Sequence, residues 1–76
     1  MNGTKPNPEL ARVFEETRHR AGLSIFKVAA RTGLHPNTIA RIGYGIASAR
    51  TLIAVSRILE VSVDELTGRK PLPVTR

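Results

Sequence analysis

Residues 24–45 read SIFKVAARTGLHPNTIARIGYG, and they carry the signals for two short helices separated by a turn. Ser24 offers an N-cap oxygen to the first helix. Gly33 ends that helix, because glycine adopts the left-handed backbone of a turn at little cost. Pro36 suits the first position of a second helix, and Gly45 follows its end. The stretch therefore predicts a helix, a tight turn and a second helix.

The second of these helices has two chemically different faces. A helix turns by about 100° per residue, which brings Ile39 and Ile42 to one side and Asn37 and Arg41 to the other. Ala40 lies beside the polar pair, and its small side chain permits close approach. Asparagine matches the edge of adenine and arginine that of guanine in the major groove. The pattern predicts that the aliphatic side packs on the body and that the other side reads bases.

The flanking sequence predicts three further helices. Asn7 and Pro8 begin one that stops at Gly22, and Ser48 can cap another. Residues 62–65 form a capping box that begins a last short helix. The alternation typical of strands appears nowhere at useful length. We therefore expect an all-α, compact five-helix domain.

Length and composition bound the domain organisation. The 76 residues suffice for one small domain, and there is no cysteine to form a disulfide. We expect a flexible N-terminal arm at 1–7, a folded domain at 8–68 and a flexible basic tail at 69–76. The chain begins without the apolar stretch of a signal peptide, and it has no apolar run long enough to span a membrane. A cytoplasmic protein is therefore expected.

The charge distribution is strongly uneven. The formal net charge is +6, and no Asp or Glu occurs from Thr17 to Leu59. Basic side chains in that stretch are Arg18, Arg20, Lys27, Arg31, Arg41, Arg50 and Arg57. A surface of one sign attracts and steers polyanions. Nucleic acid is the leading candidate partner, and an anionic membrane surface is second.

The segment with helix-turn-helix spacing resembles the lambda-repressor-like family, also called the Xre family. The matching residues are Leu23-Ser24, Val28-Ala29, Gly33-Leu34, Thr38-Ile39, Arg41-Ile42, Gly45 and the closing pattern at 59–66. The resemblance covers roughly residues 10–67. It implies the lambda-repressor-like fold and a sequence-specific, double-stranded DNA-binding transcriptional regulator. The expected mechanism is repression by operator occupancy.

The resemblance also implies which residues contact DNA. Base contacts are expected at Pro36, Asn37 and Arg41, where Pro36 can only pack on a thymine methyl group. Contacts to the DNA backbone are expected at Arg18, Ser24, Ile25, Lys27, His35, Thr38 and Tyr44. The third helix would enter the major groove while the others hold phosphates.

Two positions depart from the family pattern. Ile25 stands where the family often has a phosphate-binding Gln. Gly43 stands where the family usually has a Glu that pairs with the Arg18 position, so we expect Arg18 to lack that partner and to be freer to bind phosphate. Taken singly, Arg18, Lys27 and Arg31 are equally consistent with solvated helix charges. Tyr44 is equally consistent with a cover for the edge of the core.

Other functional classes remain alternatives at this point. A protein-interaction module, such as an antitoxin or adaptor, could use the same fold to hold a protein partner. RNA binding is disfavoured because only Phe14, Phe26 and Tyr44 are aromatic. Neither His19 nor His35 belongs to a set of Cys, His and carboxylate residues with the spacing of a metal site, and the basic segment has no acid–base pair. We therefore expect no enzyme activity, no metal or other cofactor and no small-molecule ligand.

A homodimer is expected because one such domain reads only about half a turn of DNA, whereas dimers bind two half-sites. The candidate interface residues are Ile53, Ile58 and Val63, which the predicted core does not require. Val61 and Leu66 are equally consistent with closing the monomer core.

Overall fold

The computed structural model describes residues 5–72, which form five α-helices and no strand. The helices are α1 (Pro8–Ala21), α2 (Ile25–Thr32), α3 (Pro36–Ile42), α4 (Ala49–Leu59) and α5 (Val63–Leu66). The predicted all-α, five-helix fold is confirmed. No helix in this described part of the chain is long and apolar enough to cross a membrane.

Capping side chains fix the beginnings of the helices where the sequence predicts them. Oδ1 of Asn7 accepts hydrogen bonds from the first turn of α1, and Oγ of Ser24 accepts one from the N–H of Lys27 at 3.1 Å. Ser62 and Glu65 form both bonds of the predicted capping box. Each cap satisfies a backbone N–H that the helix cannot, which is worth about 1 kcal/mol.

The core lies where the helices meet. The largest fully buried side chains are Phe14, Ile39, Ile42, Leu66, Val13, Val28 and Val55. Both isoleucines of α3 are completely buried, so this short helix is held to the body by one face. On α4, Thr51 is buried and Leu52 only half-buried. The hydroxyl of Thr51 accepts a hydrogen bond from Oγ of Ser48 at 3.1 Å.

Residues just outside the predicted limits of the folded domain contact the helices at both ends. The backbone N–H of Asn7 donates to the carbonyl of Gly45 at 2.8 Å, and its Nδ2 donates to the carbonyl of Thr67 at 3.1 Å. At the other end, the N–H of Arg69 donates to the carbonyl of Asp64 at 2.8 Å, and Leu72 packs against the core. These hydrogen bonds join Asn7 and Arg69 to the helical body, and the limits 8 and 68 of the folded domain stay a prediction. The rest of the predicted arm and tail, residues 1–4 and 73–76, lies outside the described residues.

Candidate nucleic-acid interface

The outer face of α3 carries two exposed polar side chains. Asn37 and Arg41 are exposed, whereas Ile39 and Ile42 are completely buried. Within residues 5–72, neither polar side chain takes part in a hydrogen bond or an ion pair. Both amide and guanidinium groups are therefore available to an external partner. Pro36 is half-buried at the first position of α3.

His35 caps the N-terminus of α3 with one ring nitrogen and leaves the other ring nitrogen without a partner within residues 5–72. Its Nδ1 accepts a hydrogen bond from the N–H of Asn37 at 3.0 Å. A neutral imidazole that accepts at one nitrogen carries its proton on the other, so Nε2–H is left to donate outward. Because the ring is exposed, this donor can reach a phosphate oxygen at the same end of α3 that presents Asn37.

The N-terminus of α2 presents backbone N–H groups and one free cation. Lys27 is exposed and forms no ion pair within residues 5–72, and the first turn of α2 has no acidic residue. Ser24 is exposed and uses its hydroxyl oxygen as the cap. Ile25 is half-buried against the core, so it can offer only its backbone N–H to a phosphate. Helix N-termini of this kind attract anions.

Tyr44 and Thr38 complete the predicted backbone-contact set. Tyr44 is 75% exposed, which removes the alternative that it covers the edge of the core. Thr38 is half-buried. Phe26, at 72% exposed, is a further exposed aromatic that was not among the residues predicted from the sequence to contact DNA. The sequence could have indicated that Phe26 is exposed, because it lies about 100° around α2 from the half-buried Ile25.

A family model described as helix-turn-helix matches residues 14–66, which is well over half of the chain. The chain belongs to the Xre, or lambda-repressor-like, helix-turn-helix family. This family consists of DNA-binding regulatory domains and is not enzymatic. The comparisons matched no curated protein and no solved structure.

Arg18 of this Xre-family domain has an acidic partner, contrary to the expectation that the glycine at position 43 leaves it without one. Its Nη2 lies 2.5 Å from Oε1 of Glu15, and its Nη1 donates to the carbonyl of Leu23 at 2.9 Å. Only 15% of the Arg18 side chain is exposed. Leu23 immediately precedes the cap of α2, so Arg18 ties the N-terminal end of α2 to α1. A direct contact of Arg18 with phosphate stays a prediction.

Glu15 supplies from α1 the carboxylate that the family usually supplies from the end of α3. A Cβ atom placed on Gly43 would lie 3.7 Å from Oε2 of Glu15. The two possible origins of the carboxylate therefore converge on one place beside Arg18. The signal in the sequence was the spacing of three residues between Glu15 and Arg18, which places them on the same side of a helix.

Moving the carboxylate back to position 43 is expected to restore the ion pair. Glu15→Ala should destabilise the domain by about 1–3 kcal/mol, because it leaves the largely buried guanidinium of Arg18 under-bonded. Adding Gly43→Glu should recover a large part of that loss, since Gly43 has a φ of −63° that any residue adopts. Urea denaturation followed by circular dichroism measures both variants.

The control for this prediction is Glu15→Ala combined with Gly43→Ala. It makes the same backbone change without a carboxylate. Equal stability of this control and the Gly43→Glu double variant would contradict the proposed convergence of the two carboxylates.

The remaining basic residues fall into a paired and an unpaired group. Arg12 and Arg20 form ion pairs with acids of α1, and the hydrogen bond that Arg12 donates to Glu9, together with the charge of that carboxylate, raises the pKa of Arg12. Exposed cations without an ion pair within residues 5–72 are Lys5, Lys27, Arg31, Arg41, Arg50, Arg57, Arg69 and Lys70. The acids bordering the basic segment thus neutralise only its N-terminal end. No cluster of potential metal ligands occurs among the described residues.

The three residues predicted for the dimer interface differ in exposure, and their role in a dimer stays a prediction. Ile53 is 47% exposed, whereas Ile58 and Val63 are half-buried. Ile53 and Ile58 are separated by about 140° around α4. Ile58 lines a cavity beside α1 that neither Ile53 nor Val63 borders.

Proposed function

We propose that this Xre-family protein is a sequence-specific repressor that binds double-stranded DNA and blocks transcription by occupying an operator. The observation that carries the proposal is the outer face of α3. Asn37 and Arg41 are exposed and unpaired there, directly opposite two completely buried isoleucines. This arrangement holds the backbone of α3 rigidly while it presents one amide and one guanidinium to base edges.

The DNA backbone would be held around this reading face. The N-terminus of α2 offers backbone N–H groups of Ser24 and Ile25, and Lys27 adds a free charge. Side-chain donors on α3 or next to its ends are His35, Thr38 and Tyr44. Phosphate contacts fix the register of the protein but carry little sequence information. Arg18 supports this set through its bond to the carbonyl of Leu23, in addition to any contact of its own.

A twofold homodimer is part of the proposal. Two copies of α3 separated by about 34 Å would read adjacent major grooves of a palindromic operator, which gives more discrimination than one half-site. Operator occupancy then excludes polymerase sterically. This activity requires the protein to be where DNA is, in keeping with the predicted cytoplasmic localisation.

A second candidate function is a protein-interaction module such as an antitoxin or adaptor. The observation that favours it is the exposure of apolar side chains away from the reading face of α3. Ile53 on α4 is 47% exposed and Ile46 in the preceding loop is 37% exposed. An apolar protein interface would bind with weak salt dependence, whereas a DNA interface would not.

Selection of bound duplexes from a random pool tests the proposed function. An enriched palindrome is expected. Arg41→Ala and Asn37→Ala should each weaken binding to the best site by about 1–3 kcal/mol and relax the preference at one or two base pairs, because each removes a bidentate contact.

Arg57→Ala is the matched control for Arg41→Ala. Arg57 is also an exposed arginine near a helix end, but it lies on α4. Its loss should leave the base preference unchanged. Unchanged preference and affinity after Arg41→Ala would show that α3 does not read bases in this orientation.

A further inference from the structure

A half-open groove of about 520 Å³ lies between the C-terminal ends of α1, α2 and α4. We call it the α1–α4 groove. Its apolar lining includes Leu23, Ile58, Leu59 and Leu72. No residue of α3 borders it, so an occupant of the groove would not cover the proposed DNA-reading face.

The charged side chains that line the groove are two arginines and two glutamates, and one of each sign is free. Arg20 pairs with Glu16 at 2.9 Å, and Glu65 accepts a hydrogen bond in the capping box of α5. Arg31 and Glu60, by contrast, are exposed and form no ion pair or side-chain hydrogen bond with any residue from 5 to 72. The groove thus offers one unpaired guanidinium and one unpaired carboxylate beside an apolar floor.

We propose that the α1–α4 groove is the surface on which a second copy of this chain docks, with Arg31 of each protomer facing Glu60 of the other. A twofold interface must be self-complementary, because the same patch contributes from both sides. A patch with one free charge of each sign meets this requirement, since rotation by 180° can bring each charge to its opposite. A simple anion would instead meet Glu60, and a simple cation would meet Arg31.

The inference rests on the proposed function, which calls for a dimer, and it replaces the scattered interface residues with one continuous surface. Of the three residues predicted from the sequence, only Ile58 belongs to it. The groove has eleven lining residues, fewer than the roughly 20–30 residues that a stable interface contributes per partner. If the groove forms most of the interface, we expect the free dimer to be weak. Binding to a palindromic duplex should strengthen it, because both protomers are then held at high effective concentration.

Charge reversal provides a direct test by sedimentation, with and without a palindromic duplex. Arg31→Glu makes both unpaired charges of the groove negative, and Glu60→Arg makes both positive. Each variant alone should sediment as a monomer at concentrations where the unmodified protein dimerises. An equimolar mixture of the two variants should dimerise again, because the two negative charges of one variant then face the two positive charges of the other. The variant with both reversals should also dimerise.

Affinity for the palindromic site should fall by about 10²-fold or more in each single variant, because the second half-site no longer gains from the first. The mixture should recover that affinity. Arg57→Glu is the control, because it reverses an exposed arginine in the last turn of α4 outside the groove. It should leave the mass of the free protein unchanged.

Dimers formed equally well by both single variants would overturn the proposal, as would a monomeric unmodified protein in both conditions. Both altered side chains are exposed, and the circular dichroism spectrum verifies that each variant folds. Failure of the proposed DNA-binding function has a different signature. In that case no duplex is selected from the random pool, whatever the mass of the free protein.

Discussion

Raising the salt concentration from about 50 to about 200 mM is expected to weaken duplex binding by about 10³–10⁵-fold. The reason is that cations of the protein displace counterions condensed on the DNA. The exposed, unpaired cations within residues 5–72 set the size of this effect. They are Lys5, Lys27, Arg41, Arg50, Arg57, Arg69 and Lys70, without Arg31, which the proposed dimer interface pairs with Glu60.

The number of free cations makes the expected slope quantitative. If three to five phosphates are neutralised per subunit, a dimer should give a slope of about −5 to −9 in a plot of log affinity against log salt, at about −0.9 per phosphate. Arg18 and Arg20 do not add to this number in full, because acids of α1 already neutralise them. Fluorescence anisotropy with a labelled duplex at several salt concentrations measures the slope.

Two variants separate a phosphate contact from a positioning contact. Lys27→Ala should make the slope shallower by about one unit per subunit, because a free charge is removed. Arg18→Ala should weaken binding to all sequences with less change in slope, because its charge is already paired with Glu15. A slope near zero for the unmodified protein would instead favour the protein-interaction module.

Gly45→Ala is expected to unfold much of the protein, at a cost on the order of 3 kcal/mol or more. Two effects add at this position. Gly45 has a φ of +82°, which disfavours any residue with a Cβ. A Cβ there would also overlap the backbone of Asn7, whose atoms cannot move aside as a flexible side chain would. Small domains have only a few kcal/mol of stability to lose.

Gly22→Ala and Gly33→Ala are the matched controls. Both glycines have positive φ, at +69° and +75°, but neither has an atom within 4 Å of the added Cβ. They should show the backbone cost alone, about 1–2 kcal/mol. Thermal and urea denaturation followed by circular dichroism compare the three. Equal losses at all three positions would show that Asn7 does not rest against Gly45.

The sequence by itself determined the helices and which face of α3 is exposed. Caps, helix-ending glycines and the spacing of apolar residues act within a few residues of one another, so the order of residues specifies them. Asn7, Ser24 and Gly33 are local signals of this kind, and each has its predicted role. The orientation of α3 follows equally directly, because Ile39 and Ile42 can be buried only if Asn37 and Arg41 face outward.

Only the tertiary structure decided which distant groups meet. The bond from Asn7 to Thr67 joins residues 60 positions apart, and Arg31 and Glu60 line the same α1–α4 groove although they are distant in the sequence. The closeness of Gly43 to the carboxylate of Glu15 likewise depends on how the end of α3 lies against α1. Such contacts depend on how whole helices pack against each other, and the spacing of residues within one helix does not specify that packing.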